Sequence, residues 1–446
     1  MEMFGFKLGR THVPHRKNTA EMPPVRMTVS GEVILPMAQH IGAPATPVVK
    51  AGDHVYVGTL VGEANGYVSA NIHSSVSGTV KRIDTYLQSN GRSCPAVVIE
   101  SDGIMAPDPG ITPPEVSDFD GFSAAVRASG LVGLGGAGFP TSVKLDAEKK
   151  GLINTVVING AECEPYITSD TRTMMDETEL LVEAVGIIEK YITAETIIFG
   201  IESNKPECIA KLREAFADDA KVRVDALPST YPQGGEKILV YNTTGRVIPE
   251  GKLPADVGCL VMNVTSLAFI AKYFRDGMPL VEKCVTVDGS AILNPQNVIV
   301  PIGTPIKDLI EFVGGFTEEP GKVMYGGPMM GVTIYSLDDP ILKMTNAIVA
   351  LNERDSRPPK ASPCIHCGRC VAACPMGLNP TAFAKAMGIS DVARKAERLE
   401  DAKIGLCIEC GCCSFVCPAK RPLVENNRLA KSDLRQIKSS GLVEKK

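Results

Sequence analysis

Tryptophan and long apolar runs are missing from this chain of 446 residues. It contains no Trp, and aromatic residues make up only 5% of the sequence. The best apolar stretch without a charge, "VGCLVMNVTSLAFIA" at residues 257–271, still contains Asn, Thr and Ser. A membrane-spanning helix needs roughly 20 mostly apolar residues. We therefore expect that the chain does not cross a membrane by itself and that any membrane contact is made through partners.

A secretory signal and an excess of positive charge are also missing. The N-terminus, "MEMFGFKLGRTHVPHRK", has no apolar core of the kind that signal peptides carry. The chain has 46 Lys and Arg against 51 Asp and Glu, a formal net charge of −5, so we expect no nucleic-acid binding through bulk electrostatics. Hydrophobic residues at 44% and charged residues at 22% are typical of a soluble globular protein. The length predicts about three or four domains.

Cysteine, by contrast, is plentiful and unevenly placed. Of the 14 Cys, nine lie within residues 364–417. Such clustering in a large chain without a secretory signal favours metal ligation in a reducing compartment over disulfide bonds. The scattered cysteines are more typical of small buried hydrophobes. These are Cys94, Cys163, Cys208, Cys259 and Cys284.

Two cysteine runs share one spacing. "CIHCGRCVAACP" at 364–375 and "CIECGCCSFVCP" at 407–418 both have the pattern C-x2-C-x2-C-x3-C-P. In this bacterial ferredoxin run, three Cys of one run bind one [4Fe–4S] cluster and the fourth binds the other. The spacing therefore predicts a first cluster held by Cys364, Cys367, Cys370 and Cys417. It predicts a second cluster held by Cys407, Cys410, Cys413 and Cys374.

A pair of structural zinc sites is the alternative for these runs. Zinc sites usually use paired C-x2-C knuckles without a third Cys at the same interval, which argues against zinc here. Cys412 lies between two predicted ligands and is assigned no role. Because each cluster takes its fourth cysteine from the other run, the two clusters must lie close together. Two neighbouring one-electron carriers form a path that requires an electron source and an electron acceptor.

The order of patterns predicts a multidomain chain of α/β and β modules. Residues 1–105 contain short alternating strands and resemble the lipoyl/biotinyl-carrier type of β-sandwich. The hairpin stretch "GEANGYV" carries no Lys to modify, so we expect a structural or docking module. Residues 115–278 alternate buried strands with an amphipathic helix, which is typical of an α/β domain.

The remaining two modules lie C-terminal to this α/β domain. Residues 279–350 return to β character and predict a β-grasp-like (SLBB) module. Residues 355–446 predict a helical di-cluster ferredoxin domain with a basic tail. The tail, from Lys420 to Lys446, carries eight Lys/Arg and three Asp/Glu, and it is either a solvated helix or a docking segment.

A glycine pattern stands near the start of the α/β domain. "GLVGLGGAGFPTSVKL" contains Gly133-x-Gly135-x-x-Gly138, the letter pattern of a dinucleotide-binding loop. Such a loop should follow a strand directly. The preceding "GFSAAVRASGLV" has the pattern of a helix instead. We therefore do not expect a standard Rossmann unit.

Four stretches of this domain resemble the flavin-binding subunit of respiratory complex I. They are "GLVGLGGAGFPTSVKL", "VINGAECEPYITSDTR", "YPQGGEK" at 231–237 and "MNVTSL" at 262–267. The resemblance implies an FMN site that also receives NADH. It places the FMN against the backbone of Gly133, Gly135 and Gly136.

The same resemblance implies roles for several side chains. Lys144 would bring positive charge to the flavin, Asn159 a hydrogen bond, and Phe139 a surface that stacks against the nicotinamide. Glu164 and Glu236 would contact the nucleotide, and Asn263 the phosphate end of FMN. The chain departs from the complex I pattern in having Leu134 and Ala161 where that subunit has Arg and Asp.

From "QHIGAPATP" to "CPAKRPLVE" the chain resembles the C subunits of the Rnf electron-transport complex. The resemblance covers nearly the full length. It implies a peripheral protein on the cytoplasmic side of the cell membrane, carrying FMN and two [4Fe–4S] clusters and using NADH. Its partners would be the membrane and ferredoxin-like subunits of a complex that couples electron flow between NADH and ferredoxin to Na⁺ or H⁺ movement.

Two other functions fit the same patterns. The chain is alternatively a soluble electron-transfer protein of a catabolic reductase, as in proline-reductase-associated or cobalamin-reductase relatives. It is alternatively a wiring subunit whose flavin fold is empty, a possibility left open by Leu134 and Ala161. Hydride transfer through a flavin requires no acid, base or covalent nucleophile from the protein, so we predict no catalytic side chain.

Overall fold

A computed structural model describes residues 9–29, 31–89 and 91–440 of the chain. The first eight residues and the last six residues of the predicted basic tail lie outside the described residues. Within the described ranges, none of the helices is long and apolar enough to cross a membrane.

The N-terminal module consists of two small antiparallel sheets. Its strands, after a short β1 (Val25–Arg26), are β2 (Glu32–Pro36), β3 (Thr46–Pro47), β4 (His54–Val55), β5 (Leu60–Glu63), β6 (Ile72–His73), β7 (Gly78–Leu87) and β8 (Ser93–Ser101). One sheet has the order β2-β8-β7-β4 and the other β3-β5-β6. Alternate residues of β2, such as Val33 and Leu35, are fully buried, as expected for strands with one face on a core. The β-sandwich predicted for this part of the chain is confirmed.

The central module is a four-stranded sheet with helices packed against it. Its elements are α1 (Phe119–Ala128), α2 (Thr141–Leu145), β9 (Thr155–Gly160), α3 (Ser169–Asp176), α4 (Thr178–Tyr191), β10 (Thr196–Glu202), α5 (Pro206–Ala215), β11 (Val222–Leu227), α6 (Glu236–Thr244), β12 (Cys259–Asn263) and α7 (Val264–Asp276). The sheet order is β11-β10-β9-β12, and all its strand pairs are parallel. Strand β9 is buried along most of its length because helices cover the sheet. In α4, buried residues recur at helical spacing and form the face toward the core: Leu181, Ala184, Val185 and Ile188.

The next module is a mixed sheet with one helix. Its elements are β13 (Glu282–Asp288), β14 (Gln296–Pro301), α8 (Ile306–Phe312), β15 (Pro320–Tyr325), β16 (Val332–Thr333) and β17 (Ala347–Asn352). The sheet order is β1-β14-β13-β17-β15-β16. Strand β1 therefore belongs to this sheet, where it pairs with β14 in parallel, although it precedes the N-terminal module in sequence.

The C-terminal module is helical, as predicted. Its helices are α9 (Glu353–Ser356), α10 (Arg369–Ala372), α11 (Pro380–Ala386), α12 (Val392–Asp401), α13 (Cys412–Phe415) and α14 (Leu423–Ser439). Short 3-10 helices occur here and in the central module, at Glu148–Lys150, Pro254–Val257 and Ile404–Leu406. A separate core joins the longer helices, and its largest members are Phe383, Leu399 and Leu434. The part of the basic tail in α14 thus packs on this core through one face.

Residues 9–29, which we call the N-terminal segment, run outside the sandwich and bind the other modules. Thr11 pairs with Tyr231 of the central module through two backbone hydrogen bonds. Asn18 donates to Asp288 at the end of β13. The side chain of Asn297, in β14, donates to the carbonyl of Thr19. The segment therefore fixes the relative positions of the central module and the mixed sheet.

Lys343 joins three parts of the chain. Its side chain is 1% exposed. Its ammonium donates to the carbonyl of Gly130 at 2.7 Å and to that of Asn71. Its backbone N–H donates to Gln39 Oε1 at 3.0 Å. Burial lowers the pKa of Lys343 to about 7.

We expect the contribution of Lys343 to stability to depend on pH. A lysine in the unfolded chain has a pKa of about 10.4, so between the folded and unfolded pKa values the unfolded chain binds more protons. Stability from this residue therefore rises with pH in that window. Relative to Lys343→Met, the native protein should gain about 2 kcal/mol between about pH 7.5 and pH 9. Anaerobic denaturant unfolding of both proteins at several pH values measures the gain.

Lys307→Met is the matched control for this prediction. Lys307 lies in the same module and forms an exposed ion pair with Asp338 at 2.6 Å. Its removal should shift stability by a small amount that stays constant across the window. A pH-independent difference for Lys343→Met as well would show that Lys343 is not held with a lowered pKa.

Candidate functional site

The carboxyl ends of β9 and β12 mark the switch point of the parallel sheet. From β9 the chain proceeds to β10 and β11 on one side, whereas β12 is added on the other. Asn159 and Asn263 are paired in register at the ends of these two neighbouring strands. In open parallel sheets, ligands bind outside the carboxyl ends of the strands at such a switch point. The crevice at these two asparagines is therefore the candidate ligand site of the central module.

The glycine loop, residues 133–138, reaches this crevice from outside the sheet. It follows α1 and precedes β9, so no strand of the parallel sheet leads into it. The N–H of Gly133 donates to the carbonyl of Phe139 at 2.9 Å, which closes the loop at its base. Phe139 is half-buried beside the exposed tip of the loop. The loop therefore does not have the strand-to-helix setting of a Rossmann fingerprint.

The tip of the loop lies against the start of α7. The N–H of Leu134 donates to Ser266 Oγ at 3.0 Å. A Cβ on Gly135 would lie 2.7 Å from Asn263 Nδ2, a distance that side chains do not tolerate. Gly136 has a φ of +141°, and a Cβ there would meet nothing within 4 Å. The exposed backbone at Gly135 and Gly136 is therefore accessible to a ligand at this crevice.

Asn263 connects the loop, β12 and α7. Its Oδ1 accepts from Thr265 N at 2.9 Å and from Ser266 N at 3.3 Å, so it caps α7. Its Nδ2 donates to Asp170 Oδ2 at 2.8 Å. The N-terminus of this 13-residue helix therefore points toward the glycine loop, where its dipole favours an anionic group.

Lys144 and Glu236 form an ion pair on the side of the crevice. Lys144 Nζ lies 3.1 Å from Glu236 Oε1 and also donates to the carbonyl of Val261 at 3.1 Å. The two side chains are 28% and 42% exposed. An exposed pair of this kind contributes little to stability, so exchanging it for a ligand costs little.

Asn159 binds the loop that precedes α6. Its Nδ2 donates to the carbonyl of Gly234 at 3.0 Å, and its Oδ1 accepts from Ala161 N at 3.2 Å. Gly234 N in turn donates to Cys163 Sγ at 3.3 Å. Burial raises the pKa of Cys163 to about 12, so this thiol is protonated and unreactive at neutral pH.

Glu164 lies half-buried between modules. Its Oε1 accepts from Tyr231 Oη at 3.1 Å and Met330 N at 2.8 Å, and its Oε2 accepts from Met329 N at 3.1 Å. Burial raises the pKa of this carboxyl group. Of the two glutamates predicted for the nucleotide, Glu236 is exposed and Glu164 holds the loop between β15 and β16.

Lys17 was not predicted as part of this region. Lys17 is half-buried, and its ammonium donates to three carbonyls, those of Glu162 at 2.7 Å, Glu164 at 2.8 Å and Ile167 at 2.6 Å. Nearby, buried Lys205 donates to the carbonyl of Ala161 at 2.6 Å and lies 3.2 Å from Glu202. Because Lys17 is about 150 residues away in sequence, no spacing pattern could indicate this contact.

The cysteines predicted for the second cluster share one cavity. Cys374, Cys407, Cys410 and Cys413 all line one pocket. The lining is mostly apolar, and it includes the side chain of Asn427. Among the residues that the structure describes, no three His, Cys, Asp or Glu side chains are arranged around a single metal ion.

Two of the cysteine sulfur atoms that line this cavity accept hydrogen bonds. The N–H of Leu378 donates to Cys374 Sγ at 3.3 Å, and Asn427 Nδ2 donates to Cys407 Sγ at 3.6 Å. Hydrogen bonds to cluster sulfurs adjust the reduction potential. Burial raises the pKa of Cys413 to about 12, with further increases from Cys410 and Cys407. Four neighbouring thiols at such a site cannot ionise together without a cationic group, and an iron–sulfur cluster meets that requirement.

The cysteines predicted for the first cluster are also neighbours. Cys370 and Cys417 pack, together with Cys413 of the second run, in one apolar cluster with residues at the start of α14. Burial raises the pKa of Cys370, and the adjacent thiols of Cys417 and Cys364 raise it further. Cys367 is exposed and lies on the same loop. The division of the eight cysteines into two sets stays a prediction from their spacing, and the four predicted for the second set line one pocket.

Both cysteine runs have the same backbone conformation. His366 has a φ of 54° and Glu409 a φ of 57°, and each lies two positions after the first Cys of its run. Gly368 has a φ of 75° and Gly411 a φ of 80°, and each is followed by a four-residue helix, α10 or α13. Two equivalent loops of this kind fit two equivalent clusters. Cys412 is not part of either set; it is buried and donates weakly to the carbonyl of Tyr231 at 3.8 Å.

Five protein-family models match the chain. They are the RnfC barrel sandwich hybrid domain at residues 4–104, the Nuo51 FMN-binding domain at 126–272, the SLBB domain at 284–333, and two 4Fe-4S dicluster domain models at 360–421 and 332–379. These matches confirm the predicted fold class. They also confirm FMN and [4Fe–4S] clusters as the cofactors of this type of chain.

Solved structures support the fold. The chain superimposes on a chain of the NAD⁺-reducing [NiFe]-hydrogenase, with a TM-score of 0.50 for the H2-reduced state and 0.51 for the air-oxidized state. Sequence identity is 17% and 18%, and each match covers 72% of this chain. It covers 61% and 66% of the hydrogenase chain. Because the sequence identity is low, the likeness concerns the fold alone.

Curated relatives match nearly the whole chain. The C subunit of the Na⁺-translocating ferredoxin:NAD⁺ oxidoreductase complex of Acetobacterium woodii is 43% identical, over 96% of both chains. The C subunit of the proton-translocating complex of Clostridium ljungdahlii is 42% identical, over 94% of this chain and 92% of the relative. The C subunit of the ion-translocating oxidoreductase complex of Rhodobacter capsulatus is 38% identical, over 98% and 85%. In the Pseudomonas aeruginosa relative, the match spans 48% of a longer chain. The chain is therefore an oxidoreductase component, and it belongs to the family of C subunits of the Rnf ion-translocating ferredoxin:NAD⁺ oxidoreductase complexes.

Proposed function

We propose that this chain is the peripheral subunit through which electrons pass between NADH and an Rnf membrane complex, on the cytoplasmic side. The path runs from NADH through FMN to the two [4Fe–4S] clusters, or in reverse. One observation carries the proposal: a single loop connects the crevice with the cysteine cavity. A Cβ on Gly234 would lie 3.6 Å from Asn159 Oδ1, and one on Gly235 would lie 3.6 Å from Ile408 Cδ1. Ile408 itself lines the cysteine cavity.

The side chains at the crevice have the chemistry that such a path requires. FMN, when bound, accepts two electrons from NADH and releases them singly. The bare backbone at Gly133, Gly135 and Gly136 would bind the flavin. Asn263, at the N-terminus of α7, would receive the phosphate end. Lys144 would lie near the flavin ring, and its ion pair with Glu236 would be replaced by contacts with the ligand.

The remaining proposed contacts concern the nucleotide. Phe139 would stack against the nicotinamide from the base of the glycine loop, and Asn159 would hydrogen-bond the flavin from the end of β9. Glu236 is exposed and suited to contact NADH. For Glu164 to make the same contact, the hydrogen bond from Met329 N or from Met330 N must first break.

The domain limits and partners belong to this proposal. We assign residues 1–105, 115–278, 279–350 and 355–446 to the sandwich, the FMN/NADH domain, the SLBB module and the cluster domain. The relatives are named as subunits of ion-translocating complexes. We therefore infer other Rnf membrane and ferredoxin-like subunits as partners, with ferredoxin reached through the complex.

The proposal predicts that NADH reduces a flavin bound to this chain alone. The protein is purified anaerobically, loaded with FMN and iron, and titrated with NADH while the visible flavin absorbance is recorded. We expect the absorbance to bleach because the crevice receives both molecules. Protein without bound flavin, or with flavin that NADH leaves oxidised, contradicts the proposal and favours a wiring subunit.

Gly135→Ala tests the proposed flavin seat. The added Cβ would lie 2.7 Å from Asn263 Nδ2 and displace the residue that caps α7. We expect the Kd for FMN to rise by roughly tenfold or more, since even 1.4 kcal/mol gives that factor. Fluorescence quenching of FMN on titration with protein measures the Kd.

Gly186→Ala serves as the control for that substitution. Gly186 lies within α4, and a Cβ there would meet nothing within 4 Å. Ala is the better helix former, so this variant should fold and bind FMN like the native protein. Unchanged affinity in Gly135→Ala would show that FMN is not bound at the glycine loop.

Cys374→Ala tests the exchange of ligands between the cysteine runs. Cys374 belongs to the first run in sequence but lines the cavity of the second set. We expect iron to fall from about eight to about four per chain, with loss of one of two cluster signals in electron paramagnetic resonance. Cys412→Ala removes a buried cysteine from the same region and should keep about eight iron atoms. Equal iron loss in both variants would refute the assignment.

A further inference from the structure

The two cysteine sets differ in how far they are covered. Each set has two buried cysteines, Cys370 and Cys417 in the first and Cys410 and Cys413 in the second. The other two cysteines of the second set, Cys374 and Cys407, are half-buried, whereas Cys367 of the first set is exposed. Cys364 is half-buried within an otherwise exposed stretch, residues 357–369. The first set is therefore the one that borders the surface of this chain.

Neighbouring modules cover the second run. A Cβ on Gly411 would lie 2.7 Å from the carbonyl of Met329, which shows how closely the loop between β15 and β16 approaches. Arg428 of α14 donates to the carbonyl of Met330 at 3.1 Å. Cys412 packs with Tyr231 of the central module. A partner protein approaching from solvent therefore meets the first set before the second.

Positive charge is concentrated around the first set. Residues 356–375 and 417–424 contain all four of its cysteines and no Asp or Glu, although the whole chain has a net charge of −5. The two stretches meet where Ser362 N donates to the carbonyl of Ala419 at 2.9 Å. Their basic residues are Arg357, Lys360, Arg369, Lys420 and Arg421.

Four of these basic side chains have no acidic partner within the described part of the chain. Arg357 has one, Glu353 at 3.2 Å. In the same described ranges, Lys360, Arg369, Lys420 and Arg421 form no ion pair. The second run contrasts with this, because its Glu409 is paired with Lys431 at 2.6 Å.

Exposed apolar side chains lie within the same surface. Ile365 is 66% exposed and Val371 is 39% exposed, both on the first cysteine run. Phe415 is 45% exposed and lies on α13, which packs against α10. An apolar centre with a charged rim is the usual anatomy of a protein interface. If the basic side chains only balanced the negative charge of the cluster, that role would explain the charges but not the exposed apolar side chains.

We propose that this surface, called the outer face, is the docking site for an acidic protein that carries its own iron–sulfur cluster. The outer face consists of Lys360, Ile365, Arg369, Val371, Phe415, Lys420 and Arg421. One electron passes between the first cluster and the cluster of the partner; one is oxidised and the other reduced, with no bond or proton transferred. The inference rests on the proposed function, since it names the place where the path leaves this chain.

Association rates with a defined probe test the outer face. The reconstituted protein is immobilised, and an acidic bacterial two-cluster ferredoxin, used as the probe for a ferredoxin-like partner subunit, is passed over it at low and at high salt. For Lys420→Gln/Arg421→Gln we expect the association rate to fall about three- to tenfold at low salt, because charges at an interface rim mainly accelerate encounter. At high salt the difference should largely disappear. Iron content and electron paramagnetic resonance confirm that the variant keeps both clusters.

Lys385→Gln/Arg394→Gln is the matched control, since it also removes two exposed, unpaired charges from the described part of the cluster domain. It should bind ferredoxin like the native protein. If the first variant loses iron, Lys360→Gln is used in its place, because Lys360 lies outside the cysteine runs. A smaller reduction of the association rate is then expected. Equal rates for the outer-face and control variants overturn the inference, as does binding to phosphatidylglycerol vesicles in place of ferredoxin. Neither flavin nor NADH takes part in this binding measurement. A failed NADH titration would therefore contradict the proposed function without deciding whether the outer face binds ferredoxin.

Discussion

The ammonium of Lys17 is the contact on which the functional region depends. Removing an ammonium even partly from water is costly unless its donors are satisfied, and three carbonyls of residues 162–167 satisfy this one. The same loop contains Glu162 with a φ of 48° and Tyr166 with a φ of 72°, conformations that residues other than glycine adopt only when the surroundings hold them. Lys17 supplies that support from the N-terminal segment.

This loop connects the separate modules. Its start continues from Asn159 at the sheet switch point, and Cys163 accepts from Gly234 beside it. Glu164 then binds Tyr231 and the loop at Met329 and Met330, which cover the second cysteine run. The crevice and the cysteine cavity are thereby placed next to each other.

Burial and charge then distinguish two cysteine runs that are alike in sequence. Both have the same spacing and the same turn conformations, including Gly368 and Gly411. The second run is enclosed by the central module and the mixed sheet, whereas the first remains at the surface amid unpaired basic side chains of the described chain. An inner and an outer position for the two runs follow from packing alone.

The sequence by itself determined the elements whose signal is local. The spacing of the eight cysteines, the buried strand at 155–159 and the helical pattern around Leu181 depend on residues close together in the chain. The fold class was therefore predictable, and the spacing alone was enough to propose two cysteine sets. The tertiary structure decided what depends on distant contacts. Lys17 on its three carbonyls, β1 in the mixed sheet and Glu164 between modules join residues more than 100 positions apart. Such contacts are selected by the packing of whole modules, and no periodicity in the sequence records them.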